Sequence, residues 1–267
     1  MNRRHVGLVI AAPIFACSGV IGIEALPRPS TPAHDDGAAD DIDGGDGSAA
    51  RETFCSKLQL GGLEHKYCAD FDESIRTVWV GTSKVQTGLN TLTSYTGAPY
   101  LEPVEGGTGN EVVALTRHVA GQAVEGGQVE LKLDKSLAAA FDVGVDVRTT
   151  ADPPLPVTAL IVTFRASGFD TQLKLSFTGG SIVLSLHPNN NTAPDEERFT
   201  TSPGKRIHLK REGNQFVVLV DGGEVGRRSF SGVPSTVTSL TLWIGAGFLD
   251  GTTVGAAENR LDNLTVD

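Results

Sequence analysis

From Lys205 to Phe230 the chain reads KRIHLKREGNQFVVLVDGGEVGRRSF. Ile207 and Leu209 alternate with Arg206, His208 and Lys210, the period-two pattern of a strand with one dry face and one wet face. Glu212-Gly213-Asn214 turns the chain, and Phe216 to Val220 is apolar at every position. Asp221-Gly222-Gly223 then supplies residues that tolerate positive φ in a hairpin turn. Three short strands in a meander cannot bury their own dry faces, so a second sheet has to cover them.

The rest of the chain repeats the signal. Val129, Leu131 and Leu133 alternate with polar residues, as do Phe141, Val143, Val145 and Val147. Val157 to Phe164 is a nearly continuous apolar run suited to a central strand. Leu173, Leu175 and Phe177 lead through Gly179-Gly180 into Ile182, Leu184 and Leu186, a hairpin by pattern and turn chemistry together. About a dozen extended segments and no amphipathic helix predict an all-β, two-sheet antiparallel sandwich. Thirty-two glycines, thirteen prolines and one methionine agree with a turn-rich β protein.

The N-terminal region has another character. Arg3, Arg4 and His5 precede an apolar run from Val6 to Phe15, too short for a spanning helix of about 20 residues and of the form of an export signal. Ile14-Phe15-Ala16-Cys17 resembles the lipobox of bacterial lipoproteins, with Phe15 where a small or β-branched residue is usual. The resemblance implies a signal peptide over 1–17, lipid on Cys17 and an envelope location at the outer membrane or cell surface; an ordinary secretory signal is the alternative. Residues 18–52, with eight acids between Glu24 and Glu52 against Arg28 and Arg51, read as a disordered acidic tether. Asp41, Asp43 and Glu52 fall on positions of an EF-hand frame, but Asp46 stands where that loop needs glycine. The folded domain is expected over 53–267.

Three cysteines leave one over in an exported chain. With Cys17 acylated, Cys55 and Cys68 are expected to form a disulfide, worth roughly 3 kcal/mol by restricting the unfolded chain. A zinc site lacks the further cysteines or paired histidines it needs. In Tyr67-Cys68-Ala69-Asp70-Phe71-Asp72 an extended backbone places Asp70 and Asp72 on one face, the weak candidates for calcium. No other cofactor is expected.

From Lys205 onward the chain resembles the concanavalin A-like, laminin-G-like jelly rolls. The features are IHLKRE leading into a strand ending Val220-Asp221-Gly222, then Trp243-Ile244-Gly245, then Leu261-Asp262-Asn263-Leu264-Thr265-Val266; the opening CADFDE with Trp79 matches too. That resemblance implies a jelly-roll sandwich whose relatives include lectins, adhesive modules, and polysaccharide hydrolases and lyases, so fold alone does not choose. The carboxylate motif Glu-x-Asp-x-Glu of the laminarinase-like hydrolases is absent, as are GxSxG and HExxH. Asp142 and Asp146 share a face but lie roughly 13 Å apart, too far for a retaining pair.

A non-catalytic binding or adhesion module is therefore expected, with a glycan or an envelope or extracellular protein as partner. A polysaccharide-cleaving enzyme with an unrecognised site and a scaffolding lipoprotein are the alternatives. A net charge of −10 without a basic cluster excludes nucleic acid. Leu240, Leu242 and Ile244 point inward and set Trp243 outward, where it either stacks on a sugar or lies under a loop. Tyr95 and Tyr100 are further ring candidates, and Arg206, His208 and Lys210 form a wet face suited to an acidic glycan. Cys17→Ser is expected to move the protein from the membrane to the soluble fraction; unchanged fractionation removes the lipid anchor.

Overall fold

The computed structural model describes residues 52–86, 88–94, 97–122, 125–151, 156–188, 193–201, 205–248 and 254–267. The signal, Cys17, the tether through Arg51 and Tyr95 lie outside the described residues. Ala49–Asp267 forms one compact unit.

A short helix α1 (Phe54–Leu60) opens the described region, with the Thr53 hydroxyl accepting from the Ser56 amide as its cap. Seven residues are too few to reveal helical periodicity in sequence, and none was expected there. The Cys55–Cys68 disulfide ties α1 to the first strand. The strands follow as β1 (Tyr67–Ala69), β2 (Val78–Val80), β3 (Ser83–Val85), β4 (Leu89–Ser94), β5 (Tyr100–Pro103) and β6 (Asn110–His118). Next come β7 (Glu125–Leu133), β8 (Ala140–Ala151), β9 (Val157–Ala166), β10 (Phe169–Thr178), β11 (Ser181–Pro188) and β12 (Asp195–Thr200). The chain closes with β13 (Arg206–Glu212), β14 (Gln215–Val220), β15 (Gly223–Ser229), β16 (Ser239–Phe248) and β17 (Gly255–Val266).

Every pairing is antiparallel, and the pairings resolve into two layers. One sheet runs β4-β7-β16-β9-β10-β11-β12. The other runs β5-β6-β17-β8-β13-β14-β15, with β1 beside the end of β17 and β2 and β3 outside it. The layers meet where Thr116 and Arg117 of β6 pair with β7. This is a two-sheet antiparallel jelly-roll sandwich. The opening meander is β13-β14-β15, and its two-residue turn places Asp221 at φ 48° and Gly222 at φ 82°. The Asp221 carboxylate also accepts from the Arg206 amide at 2.9 Å.

The inner faces supply the core. Leu131, Leu242, Val162, Leu175 and Leu184 face Val143, Leu209, Val218 and Leu261, all buried. Each such side chain contributes about 1.5–3 kcal/mol by leaving water. Gly226 of β15 lies under the Phe199 ring of β12, where a Cβ would come within 2.1 Å of the ring, so the free edges of the two sheets close on each other through a glycine.

Among the buried polar side chains, Arg211 and Asn259 are held by several partners each. Arg211, 1% exposed, lies over the rings of Phe164 and Phe216 and donates to the carbonyls of Gly213, Pro234 and Val233. Burial lowers its guanidinium to about 10, and the carbonyls satisfy it without a carboxylate. Asn259 of β17 is wholly buried; its amide donates to Gly245 O at 2.6 Å and Thr158 O at 3.3 Å and accepts from the Thr149 hydroxyl at 2.6 Å. Between Ile244 and Gly247 the β16–β9 register slips, and Asn259 serves the carbonyl exposed by that slip. Asn259→Ala is expected to destabilise by about 2–3 kcal/mol, or roughly 5–10 °C in Tm by calorimetry, because it leaves buried carbonyls unpaired.

Candidate functional site

Alternation fixes what the first sheet presents outward. Because Leu131, Leu242, Leu160 and Val162 face the core, the registers align Glu130, Trp243, Ile161, Lys174 and Ser185 in one outward row across β7, β16, β9, β10 and β11. The next row is Lys132, Thr241, Thr163, Gln172 and His187. Over the β7, β16 and β9 part of these rows lies a groove of about 580 Å³, lined among others by Trp243, Thr163, Glu130, Lys132, Lys135 and Arg165.

The groove contains unfinished polar chemistry. Trp243 Nε1 and Thr163 Oγ1 are both buried and lack a hydrogen-bond partner. A buried donor left unpaired costs about 1–3 kcal/mol, and the two belong to adjacent outward rows of this face. Lys132, Lys135 and Glu130 make no ion pair among the described residues. Arg165 is already held by Asp170 through two bonds of 2.8 Å, which raise the guanidinium and lower the carboxyl.

Further along the face, the Ser185 hydroxyl and His187 Nε2 are 2.9 Å apart. Burial, and then the charge of Lys174, push His187 down to about 4, so its ring is neutral at neutral pH. Burial also lowers the Lys174 ammonium.

The second sheet's outer face is different. Arg206 donates to Asp146 at 3.0 Å, to Asn263 O at 2.9 Å, to the Thr265 hydroxyl at 2.9 Å and to His208 Nε2 at 3.2 Å, and it stacks on Phe54. His208 Nδ1 and Lys210 Nζ each lie 2.8 Å from the Asp142 carboxylate. Partial burial works against the Asp142 charge, yet the hydrogen bonds from His208 and Lys210 outweigh it and hold the carboxyl below its ordinary range. Arg260 binds Glu111, Glu102 and Glu258. The three residues read from sequence as a free wet face are thus together, outward, and engaged with their own chain.

Tyr100 stands exposed on β5, on the sheet opposite Trp243. Asp70 and Asp72 do not share a strand face. β1 ends at Ala69 and Phe71 takes a left-handed φ of 55°, which ends the alternation on which that expectation rested. Asp70 accepts from the Cys55 amide at 3.2 Å and Asp72 from the Asn110 amide at 3.1 Å. No group of three or more His, Cys, Asp or Glu is placed to hold a metal ion among the described residues. No described helix is long and apolar enough to cross a membrane.

No family model and no curated protein matches the sequence. Solved structures do match. The binding domain of botulinum neurotoxin serotype D/C superposes with a TM-score of 0.53 at 7% identity, over 76% of this chain and 48% of that one. The shared property is the fold. A botulinum neurotoxin type C structure, described as dependent on two ganglioside molecules for cell entry, gives a TM-score of 0.53 at 9% identity over 78% and 49%. A family 7 alginate lyase gives 0.47 at 15% identity over 65% and 83%. The chain spans about half the length of the neurotoxin structures it matches.

Asp262 of β17 gives the fold a pH dependence. Burial pushes its carboxyl up to about 7, with the charges of Asp146, Asp72 and Asp70 adding to the effect and the Asn263 amide opposing it. The folded chain therefore holds this proton up to about pH 7 while the unfolded chain releases it near 4, and stability falls as pH rises between those values. Asp262→Asn keeps the acceptor and removes the charge. It is expected to raise Tm at pH 8 by about 3–8 °C and to leave it unchanged near pH 4; parallel Tm curves for the two proteins would refute the assignment.

Proposed function

We propose that this chain is a non-catalytic glycan-binding module, exported and held at a bacterial envelope through lipid on Cys17. The observation that carries the glycan reading is the groove over Trp243 and Thr163, with its two buried polar atoms lacking partners. A sugar offers C–H faces that pack on an indole ring and hydroxyls that both donate and accept, which suits a groove lined by Trp243, Thr163 and charged side chains. The Cys55–Cys68 disulfide supports an oxidising, exported setting. The laminin-G-like resemblance of the closing strands, and the ganglioside dependence stated for the type C neurotoxin, agree with an adhesive role. The reading itself rests on the groove.

A glycan array probed with the purified chain tests it. At least one glycan is expected to bind, Trp243→Ala to weaken that binding about 10–30-fold, and Thr163→Val to weaken it severalfold. Binding to no glycan removes the reading. Release of reducing ends or unsaturated product from any polysaccharide replaces it with an enzyme.

A further inference from the structure

Lys174 occupies the same outward row as Trp243, with Ile161 of β9 between them. Two inter-strand steps separate the positions, about 10 Å. Lys174 is half-buried, and among the described residues it is the lysine in that state with neither a carboxylate nor a hydrogen-bond partner; Lys66 and Lys210, comparably buried, are both ion-paired. An ammonium drawn out of water without a counter-ion is disfavoured, and burial accordingly lowers its proton affinity. Its charge reaches His187, in the row that also holds Thr163, so the ammonium lies on the side of the sheet that the groove occupies.

The face as a whole is short of negative charge. Lys132, Lys135 and Lys174 are unpaired there against two unpaired acids, Glu130 and, at the far end of the same row beyond Ser185, the exposed Glu196 of β12, in a chain whose net charge is −10. Arg165 and Asp170 cancel each other. On the opposite sheet the outward Arg206, His208, Lys210, Arg148 and Arg260 each have a carboxylate from their own chain. A half-buried lysine left without a counter-ion in the row that carries Trp243 is the position an anion from outside would pair with.

We propose that the ligand of this face is an acidic saccharide, and that Lys174 pairs with its carboxylate or sulfate while Trp243 and Thr163 take the neighbouring sugar ring. This deepens the glycan reading and rests on it. His187 is neutral at working pH and adds no charge to the pair, and the Ser185 hydroxyl bonded to it fixes the floor beside Lys174.

Titration calorimetry of the whole chain with three probes separates the possibilities: an oligogalacturonate, a heparin-derived oligosaccharide and a neutral cello-oligosaccharide of equal length. One of the two acidic probes is expected to bind about tenfold or more tightly than the neutral one, and to weaken when salt rises from about 50 mM to about 500 mM. The preferred acidic probe tells carboxylate from sulfate. Lys174→Met keeps the buried stem and removes the charge, so Tm holds or rises while acidic-probe affinity falls about tenfold and neutral-probe affinity is unchanged. Lys174→Arg retains most of the acidic affinity. Equal binding of neutral and acidic probes, or a folded Lys174→Met with undiminished acidic affinity, overturns the proposal and leaves glycan binding standing. Failure of every probe, together with an empty glycan array, removes both.

Discussion

The last strand lies in the middle of a sheet. β17 pairs along one edge with β6 and then β1, and along the other with β8, so the second sheet cannot be completed until the C-terminus is in place. The change of neighbour from β6 to β1 occurs around Asn263, whose left-handed φ of 52° coincides with a register slip against β8 between Asp262 and Thr265. That kink brings the Asn263 carbonyl to Arg206 and the Asn263 amide to Asp146. It also leaves Asp262 half-buried in the field of Asp146, Asp72 and Asp70. Pairing strands from opposite ends of the chain carries a loop-closure cost that only the finished core offsets, and the disulfide between α1 and β1 shortens that search at the N-terminal end.

Polar satisfaction distinguishes the two outer faces. The large polar groups of the core find partners even when the partner is awkward: Arg211 is completed by three carbonyls, Asn259 by two carbonyls and a hydroxyl, while the unpaired Thr77 Oγ1 and Arg228 Nε lie apart from each other. The same chain leaves Trp243 Nε1, Thr163 Oγ1 and Lys174 without partners together on one face of one sheet. Unfilled bonding capacity gathered on one surface is a better pointer to a ligand than the number of charges there. By that criterion the densely charged face of β13, β8 and β17 is the less available one, because its charges already answer each other.

The sheet elements were legible because their signal is local. Alternation placed β13 to β15, the Gly179-Gly180 hairpin and the outward direction of Trp243, each readable from a few consecutive residues. The site was less so. Arg206, His208 and Lys210 do face outward, but their partners Asp142 and Asp146 lie far back in the chain on β8, and only the register of β13 against β8 brings them together. Phe71 carries no side-chain mark of a left-handed backbone, so Asp70 and Asp72 kept in sequence a common face they do not have in space. In sequence Thr163 falls inside the apolar run Val157 to Phe164 and Lys174 between Leu173 and Leu175, and neither carries a mark of a site. Their meaning depends on β10 and β9 lying beside β16, a non-local fact.

The core also sets the geometry of the groove. Gly245 follows Trp243 by two residues, and a Cβ there would come within 2.2 Å of the Gly127 carbonyl, so β16 presses against β7 at a point only glycine permits. The Gly245 carbonyl is then held from the opposite sheet by Asn259. The strand segment carrying Trp243 is thus fixed on one side by a close backbone approach and from below by a buried amide. A ring held this way would lose little conformational freedom if a ligand stacked on it, as the proposed glycan reading requires. The two features that interrupt regular pairing in β16, the glycine and the register slip after Ile244, therefore belong to the support of the site as much as to the sandwich.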